Sequence, residues 1–190
     1  MKLETLKDLY IEELKDIYDA ENQILKALPK MAKAASSDSL REALKEHEDV
    51  THGHVDRLDQ VFDRLGERAK GRKCKAMEGL IEESKELMSE DSAEDVLDAG
   101  LIASAQRVEH YEIAVYGTLH TYAEQLNLDE DAELLQETLD EEKEADQKLS
   151  ELATECINIE AQEGEGAESE AAEDEEPAKR AGSRSMSRRG

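Results

Sequence analysis

Tryptophan is absent from this 190-residue chain, phenylalanine occurs once, proline twice, and aromatic residues make up only 3%. No alternating run of Val, Ile or Thr interrupts the Ala, Leu, Glu and Lys that dominate it, so nothing here calls for a β-sheet. Two cysteines, Cys74 and Cys156, are too few for a disulfide framework and form no Cys-x-x-Cys pair; both read as packed or idle thiols. No stretch approaches the roughly 20 apolar residues of a membrane span. Met1-Lys2-Leu3-Glu4 starts an amphipathic helix and holds no apolar signal core. The expectation is a soluble, cytoplasmic protein with no membrane partner. Basic residues are also scarce, 24 against 49 acidic ones for a net charge of −25, which argues against nucleic-acid binding by the folded part. Such acidity suits a very saline cytoplasm or, equally, an acidic protein in ordinary salt.

What is present is helical periodicity. Residues 3–35 place Leu6, Tyr10, Leu14, Ile17, Ile24, Leu28 and Met31 at three- and four-residue steps, with Pro29 expected to kink or loosen the last turns. Ser36-Ser37-Asp38 breaks the pattern, and Ser39-Leu40-Arg41-Glu42 has the form of a capping box for a second helix ending near Leu65. A long connector, 66–91, opens with the basic run Lys70-Gly71-Arg72-Lys73, read as a solvated loop, and then holds a short amphipathic helix over 76–88. Ser92-Ala93-Glu94-Asp95 starts a third long helix that reaches about Asn127, and a fourth continues to about Ile159. Two antiparallel hairpins joined by one long crossover make an all-α, ferritin-like four-helix bundle over 1–160; an up-down-up-down bundle is the rival topology. Residues 161–190 read as a disordered tail, acidic to 177 and basic from 178 to the end.

The apolar stripes are broken where a bundle helix faces its core. Glu21 falls between Ile17 and Ile24, Glu109 between Ala105 and Ile113, Glu142 and Asp146 between Leu139 and Leu149, and His47 and His54 between Leu44 and Leu58. A carboxylate facing a core is costly unless paired, protonated or bound to a metal. Glu109 and Glu112 are three apart and Glu142 and Asp146 four apart, so each pair shares a helix face. Carboxylates with a little imidazole suit iron or manganese and leave positions for water, O₂ or peroxide. The plain alternative is a set of inter-helix salt bridges on a wet seam. Tyr18, Tyr111 and Tyr116 read as core residues, and His52 as a surface one.

Several stretches resemble the YciF/YciE stress-protein family: Asp19-Ala20-Glu21-Asn22-Gln23, the segment from Lys73 to Glu83, Val108-Glu109-His110-Tyr111-Glu112-Ile113-Ala114, Glu124-Gln125-Leu126 and Glu137-Thr138-Leu139-Asp140-Glu141-Glu142-Lys143. The resemblance spans about 1–160. It implies a ferritin-like fold, a homodimer, a di-iron site, a stress association and a ferroxidase label. On that basis the candidate metal ligands are Glu21, His54, Glu109, Glu112, Glu142 and Asp146, with His47 and Asp49 behind them. Where the family commonly reads His-Leu-Glu-Glu-Thr, this chain has His47-Glu48-Asp49-Val50-Thr51, so an inward acid has become Val50. Either His54, one turn away, takes its place or the site has lost a ligand. His47 and His54 lie on one face but two turns apart, roughly 10 Å along the axis, too far to bind one ion. Two functions follow from these residues: oxidation of Fe(II) by O₂ or peroxide, or a non-enzymatic dimeric scaffold with a degenerate site.

Overall fold

The structure is a computed structural model in which residues 3–163 are described. Five helices carry the chain: α1 (Leu6–Ala34), α2 (Asp38–Leu65), α3 (Lys75–Ser89), α4 (Glu94–Gln125) and α5 (Asp129–Leu152), the last running into a π-helical turn, Ala153–Ile157. No strand occurs among the described residues. Helical residues continue to Glu163, and the acidic-then-basic stretch expected to be a tail lies, apart from its first three residues, outside the described residues.

α1 packs against α2 and α4, and α5 packs against α4 and α2, so the crossover joins α2 and α4 without making them neighbours in the ring. Two contacts fix the directions. Asp98, at the start of α4, accepts hydrogen bonds from the turn between α1 and α2: Ser36 N at 2.9 Å, Ser36 Oγ at 2.7 Å and Ser37 N at 2.7 Å. At the opposite end Arg64, on the last turn of α2, meets Asp131 on the first turn of α5 at 3.2 Å. α2 and α4 therefore run parallel, and α1 and α5 run the other way. This is the ferritin-like order, and the up-down-up-down alternative is excluded.

The helix ends differ in detail from the sequence reading. Thr5 caps α1 in a reciprocal box with Asp8. α2 is capped by Ser37, whose hydroxyl accepts from Leu40 N, so no Ser39–Glu42 box forms. The cap position of α4 is Ala93, with no side-chain bond from Ser92. α1 runs unbroken through Pro29, which lies on an exposed face where water can take up the freed carbonyl.

The basic loop is fastened down. Arg72 N donates to Lys15 O in the middle of α1 at 2.9 Å, and Cys74 N donates to Asp19 Oδ2 at 2.8 Å. The buried Cys74 sulfur then caps α3 by accepting from Met77 N. Between these anchors Gly71 lies so close to α1 that an added Cβ would stand 2.8 Å from Asp19 Cβ and 3.0 Å from its Cα. Gly71→Ala is therefore expected to lift the crossover from α1 and lower stability by about 1–3 kcal/mol, the usual range for overpacking. Chemical denaturation measures this directly; an unchanged midpoint would show that the strap yields.

Candidate metal centre

The core is apolar along most of the bundle: Leu14, Ile17, Leu58, Phe62, Leu101, Ile102, Leu119 and Leu135 are almost fully shielded. Three buried acids outside its centre have partners of the ordinary kind. Glu12 meets Lys15 and Arg72, Asp131 meets Arg64, and Asp98 holds the turn described above.

At the middle of the bundle the pattern changes. Glu21 from α1, His54 from α2, Glu109 and Glu112 from α4 and Glu142 from α5 are all 2% exposed or less, and His47 joins them with its side chain 10% exposed. They form two groups in which one donor atom per residue lies within 4.8 Å of the others. His47, Glu109, Glu112 and Glu142 make the first; Glu21, His54 and Glu142 make the second. Glu142 belongs to both. His54 Nδ1 is 3.0 Å from Glu142 Oε1 and 3.5 Å from Glu21 Oε1. His47 Nε2 is 3.4 Å from Glu109 Oε1 and 3.8 Å from Glu142 Oε2. These approaches are close enough for ion pairing but lack hydrogen-bond alignment. Among the described residues, ten buried side-chain N and O atoms lack a hydrogen-bond partner, and eight of them are here: Glu21 Oε2, His47 Nε2, His54 Nδ1, Glu109 Oε2, and both carboxylate oxygens of Glu112 and Glu142. A fold that satisfies its other buried acids leaves this set unsatisfied together.

The electrostatics follow from crowding. Burial pushes the Glu112 carboxyl well above its ordinary range, and Glu142, Glu21 and Glu109 push it further. Burial does the same to Glu109, against the pull of His47, and to Glu142, against the pull of His54. Burial disfavours a charged His54, yet Glu142 and Glu21 overcome it and hold its pKa up to about 10. Tyr116, wholly buried, donates its hydroxyl to Glu21 Oε1, and its pKa is raised by burial and then by Glu21.

A second layer closes the His54 side. Glu141 lies over His54 Nε2 at 3.0 Å and is itself gripped by both arms of Arg57, each at 2.7 Å. Arg57 also bonds Thr138 and Glu137. Burial would raise the Glu141 pKa, but Arg57 and His54 bring it below its ordinary value.

Of the residues singled out from sequence, Glu21, His54, Glu109, Glu112, Glu142 and His47 come together. Asp146 does not: it lies one turn beyond Glu142, half-buried, bonded by Gln106 at 3.1 Å and 3.3 Å from His110. Asp49 is exposed, since two residues from His47 is about 200° around the helix. Val50 is 37% exposed and lines a cavity that also reaches His47 and Glu109, without supplying a donor atom. His47 and His54 serve different groups, as their two-turn separation requires. Tyr116 reads from sequence as core alone, and Glu141 and Arg57 escape notice there. The available signal was Arg57 three residues after His54, on the same face.

Fold and centre together define a ferritin-like four-helix bundle with a buried carboxylate–histidine cluster that could hold metal. The chain belongs to the family described as a domain of unknown function, DUF892, whose model matches residues 5–162. It is 48% identical over 163 residues to Protein YciF of Escherichia coli K12, a match covering 85% of this chain and 98% of that one. The crystal structure of the E. coli stress protein YciF superposes with a TM-score of 0.79 at 48% identity, covering 82% of this chain and 99% of that one. YcfI of Rhodopseudomonas palustris, described as a candidate structural protein, superposes with a TM-score of 0.77 at 46% identity over 78% and 95%. A Xanthomonas campestris protein at 20% identity shares the fold, with a TM-score of 0.70 over 85% and 99%. Among the described residues no helix is long and apolar enough to cross a membrane.

Proposed function

We propose that the centre holds two divalent ions, iron or manganese, and that the protein oxidises ferrous iron with O₂ or hydrogen peroxide. The observation that carries this reading is the set of eight buried, unpartnered donor atoms converging from four helices. Charge supports it: Glu21, Glu109, Glu112 and Glu142 carry four negative charges when ionised, which two divalent ions balance while the histidines bind neutral. Donor chemistry supports it too, since oxygen-rich sets with one imidazole each suit iron and manganese. His47, Glu109 and Glu112 would hold one ion, Glu21 and His54 the other, and Glu142 both. As substrate, two ferrous ions give up two electrons; O₂ takes them with two protons to form hydrogen peroxide, or hydrogen peroxide takes them with two protons to form two waters. Arg57 and Glu141 keep His54 in place, and Tyr116 fixes the orientation of Glu21.

Anaerobic ferrous loading followed by elemental analysis is expected to find about two ions per chain, the number of groups the cluster forms. The Glu21→Ala/Glu142→Ala double variant should lose the ion framed by Glu21 and His54 and retain at most one, held by His47, Glu109 and Glu112. Ferric absorbance should then develop on adding O₂ or peroxide to the native protein; a native chain that retains no iron rules the reading out. By family resemblance the working unit is a homodimer, which light scattering checks, and the role is one in stress, as the name of the E. coli relative suggests.

A second reading, a dimeric scaffold with a degenerate site, draws on the valine at position 50 and on the description of the R. palustris relative. It predicts that added iron leaves thermal stability unchanged, whereas a functional centre is stabilised by its ion.

A further inference from the structure

The cluster has one open side and one closed side. Between α2 and α5 lies a cavity of about 300 Å³ that reaches His47 and Glu109 but neither Glu21 nor His54. Its walls include Val50 and Ala145, and its mouth is crossed by an ion pair between Glu46 on α2 and Lys148 on α5. Of the carboxylates there, Glu46 is paired with Lys148 and Glu141 with Arg57, which leaves Glu144 to favour a cation over an anion. The volume accommodates an ion that keeps several of its waters, each of about 30 Å³. At the inner end the cavity meets His47, whose Nε2 is buried and without a hydrogen-bond partner.

The other group has no such opening. The side chains of Glu21, His54 and Glu142 are wholly shielded. Glu141 lies across the outer nitrogen of His54, and the guanidinium fork of Arg57 pins it there through two bonds of 2.7 Å. On the far side Tyr116 closes over Glu21. An ion here could leave only past the shared Glu142 through the neighbouring position, or after Arg57 and Glu141 part.

We propose that the two ion positions are unequal: the one framed by His47, Glu109, Glu112 and Glu142 exchanges with solvent through the cavity between α2 and α5, while the one framed by Glu21, His54 and Glu142 keeps a resident ion. The proposal rests on the two-ion reading above and adds a division of labour to it. Ions enter and leave through the exposed position, and the sealed one stays filled.

Cobalt(II), followed by its visible absorption, tests this on the full chain. Protein loaded with cobalt and challenged with excess EDTA is expected to lose it in two phases of one ion per chain each, with rates differing at least about tenfold, a barrier difference of roughly 1.4 kcal/mol. Ala145→Trp should slow the fast phase alone, and Val50→Phe, on the opposite wall, should do the same if the first variant folds poorly. Arg57→Met should accelerate the slow phase alone. Loss of both ions in a single phase overturns the proposal, as does a fast phase that neither wall substitution alters. Those results leave the two-ion reading standing, whereas a native chain that takes up no cobalt overturns both.

Discussion

Replacing Glu112 with leucine is expected to make the metal-free protein more stable, and to remove most of the stabilisation that metal gives at the His47 position. Glu112 is 1% exposed, neither of its carboxylate oxygens has a hydrogen-bond partner, and its neighbours include three other buried glutamates. Exchanging such a group for an apolar one of similar volume is worth about 1–4 kcal/mol, by analogy with buried ion clusters replaced by hydrophobic residues. In a domain of this size each kcal/mol moves the melting temperature by about 2–4 °C. In the native chain, manganese or ferrous ion at about 100 times its Kd should add roughly 2.7 kcal/mol per site, and in Glu112→Leu most of that gain at the His47 position should vanish. Melting curves of both proteins, in EDTA and in excess Mn(II), decide the matter. If the variant melts below the native chain in EDTA, Glu112 is not a frustrated group and the fold has another use for it.

The same frustration has a pH signature. Glu109, Glu112 and Glu142 have folded-state pKa values above the ordinary 4.5, so the folded state holds their protons more tightly than the unfolded chain does. Stability is then greatest at low pH on their account and falls as pH rises from 4.5 through the folded values. His54 acts in the same direction: its contribution is complete below 6.5 and lost as pH climbs through about 10. Glu141, held below its ordinary value, loses its contribution only on acidification. In EDTA the melting temperature should therefore decline from mildly acidic to alkaline pH. Metal, which displaces the protons, should flatten that decline.

The second large effect belongs to the frame. Asp98→Ala removes a carboxylate that is 2% exposed and accepts three hydrogen bonds from the α1–α2 turn. Hydrogen bonds to a charged group are worth about 1.5–3 kcal/mol each, and the loss here leaves two backbone amides at a helix start without their partner. A drop of about 3–5 kcal/mol in denaturation free energy is expected, after allowance for water reaching the half-exposed serines. Asp98→Asn, which keeps the shape and one acceptor oxygen, should fall between. A loss below 1 kcal/mol for the alanine variant would mean that the turn holds its place through apolar packing alone.

These two sites differ in how legible they were. The centre could be read because a carboxylate in an apolar stripe is a visible anomaly, and because three- and four-residue spacings place Glu109 with Glu112 on one face. Asp98 was invisible: its partners are backbone amides 61 and 62 residues away, and no local pattern announces a tertiary bond. Asp146 shows the limit of face arguments. It shares a face with Glu142 but stands about 6 Å further along the axis, beside Gln106 and His110. The crossover was legible from its length, whereas the close seating of Gly71 on Asp19 was not, because glycine in a basic loop reads equally as slack chain. The caps of α2 and α4 slipped by two residues and one, where several serines competed and backbone geometry chose among them.

Glu142 lies in both groups, and this makes the centre a linked system. Whatever factor an ion at the His47 position imposes on affinity at the His54 position, the reverse factor must equal it. If the first ion orients the shared carboxylate for the second, half-filled molecules will be rare; if it monopolises that carboxylate, they will accumulate. In either case the half-filled chain is a chemical species of its own, and an occupancy titration will depart from the curve for two independent sites in a direction that reveals how one side chain is divided.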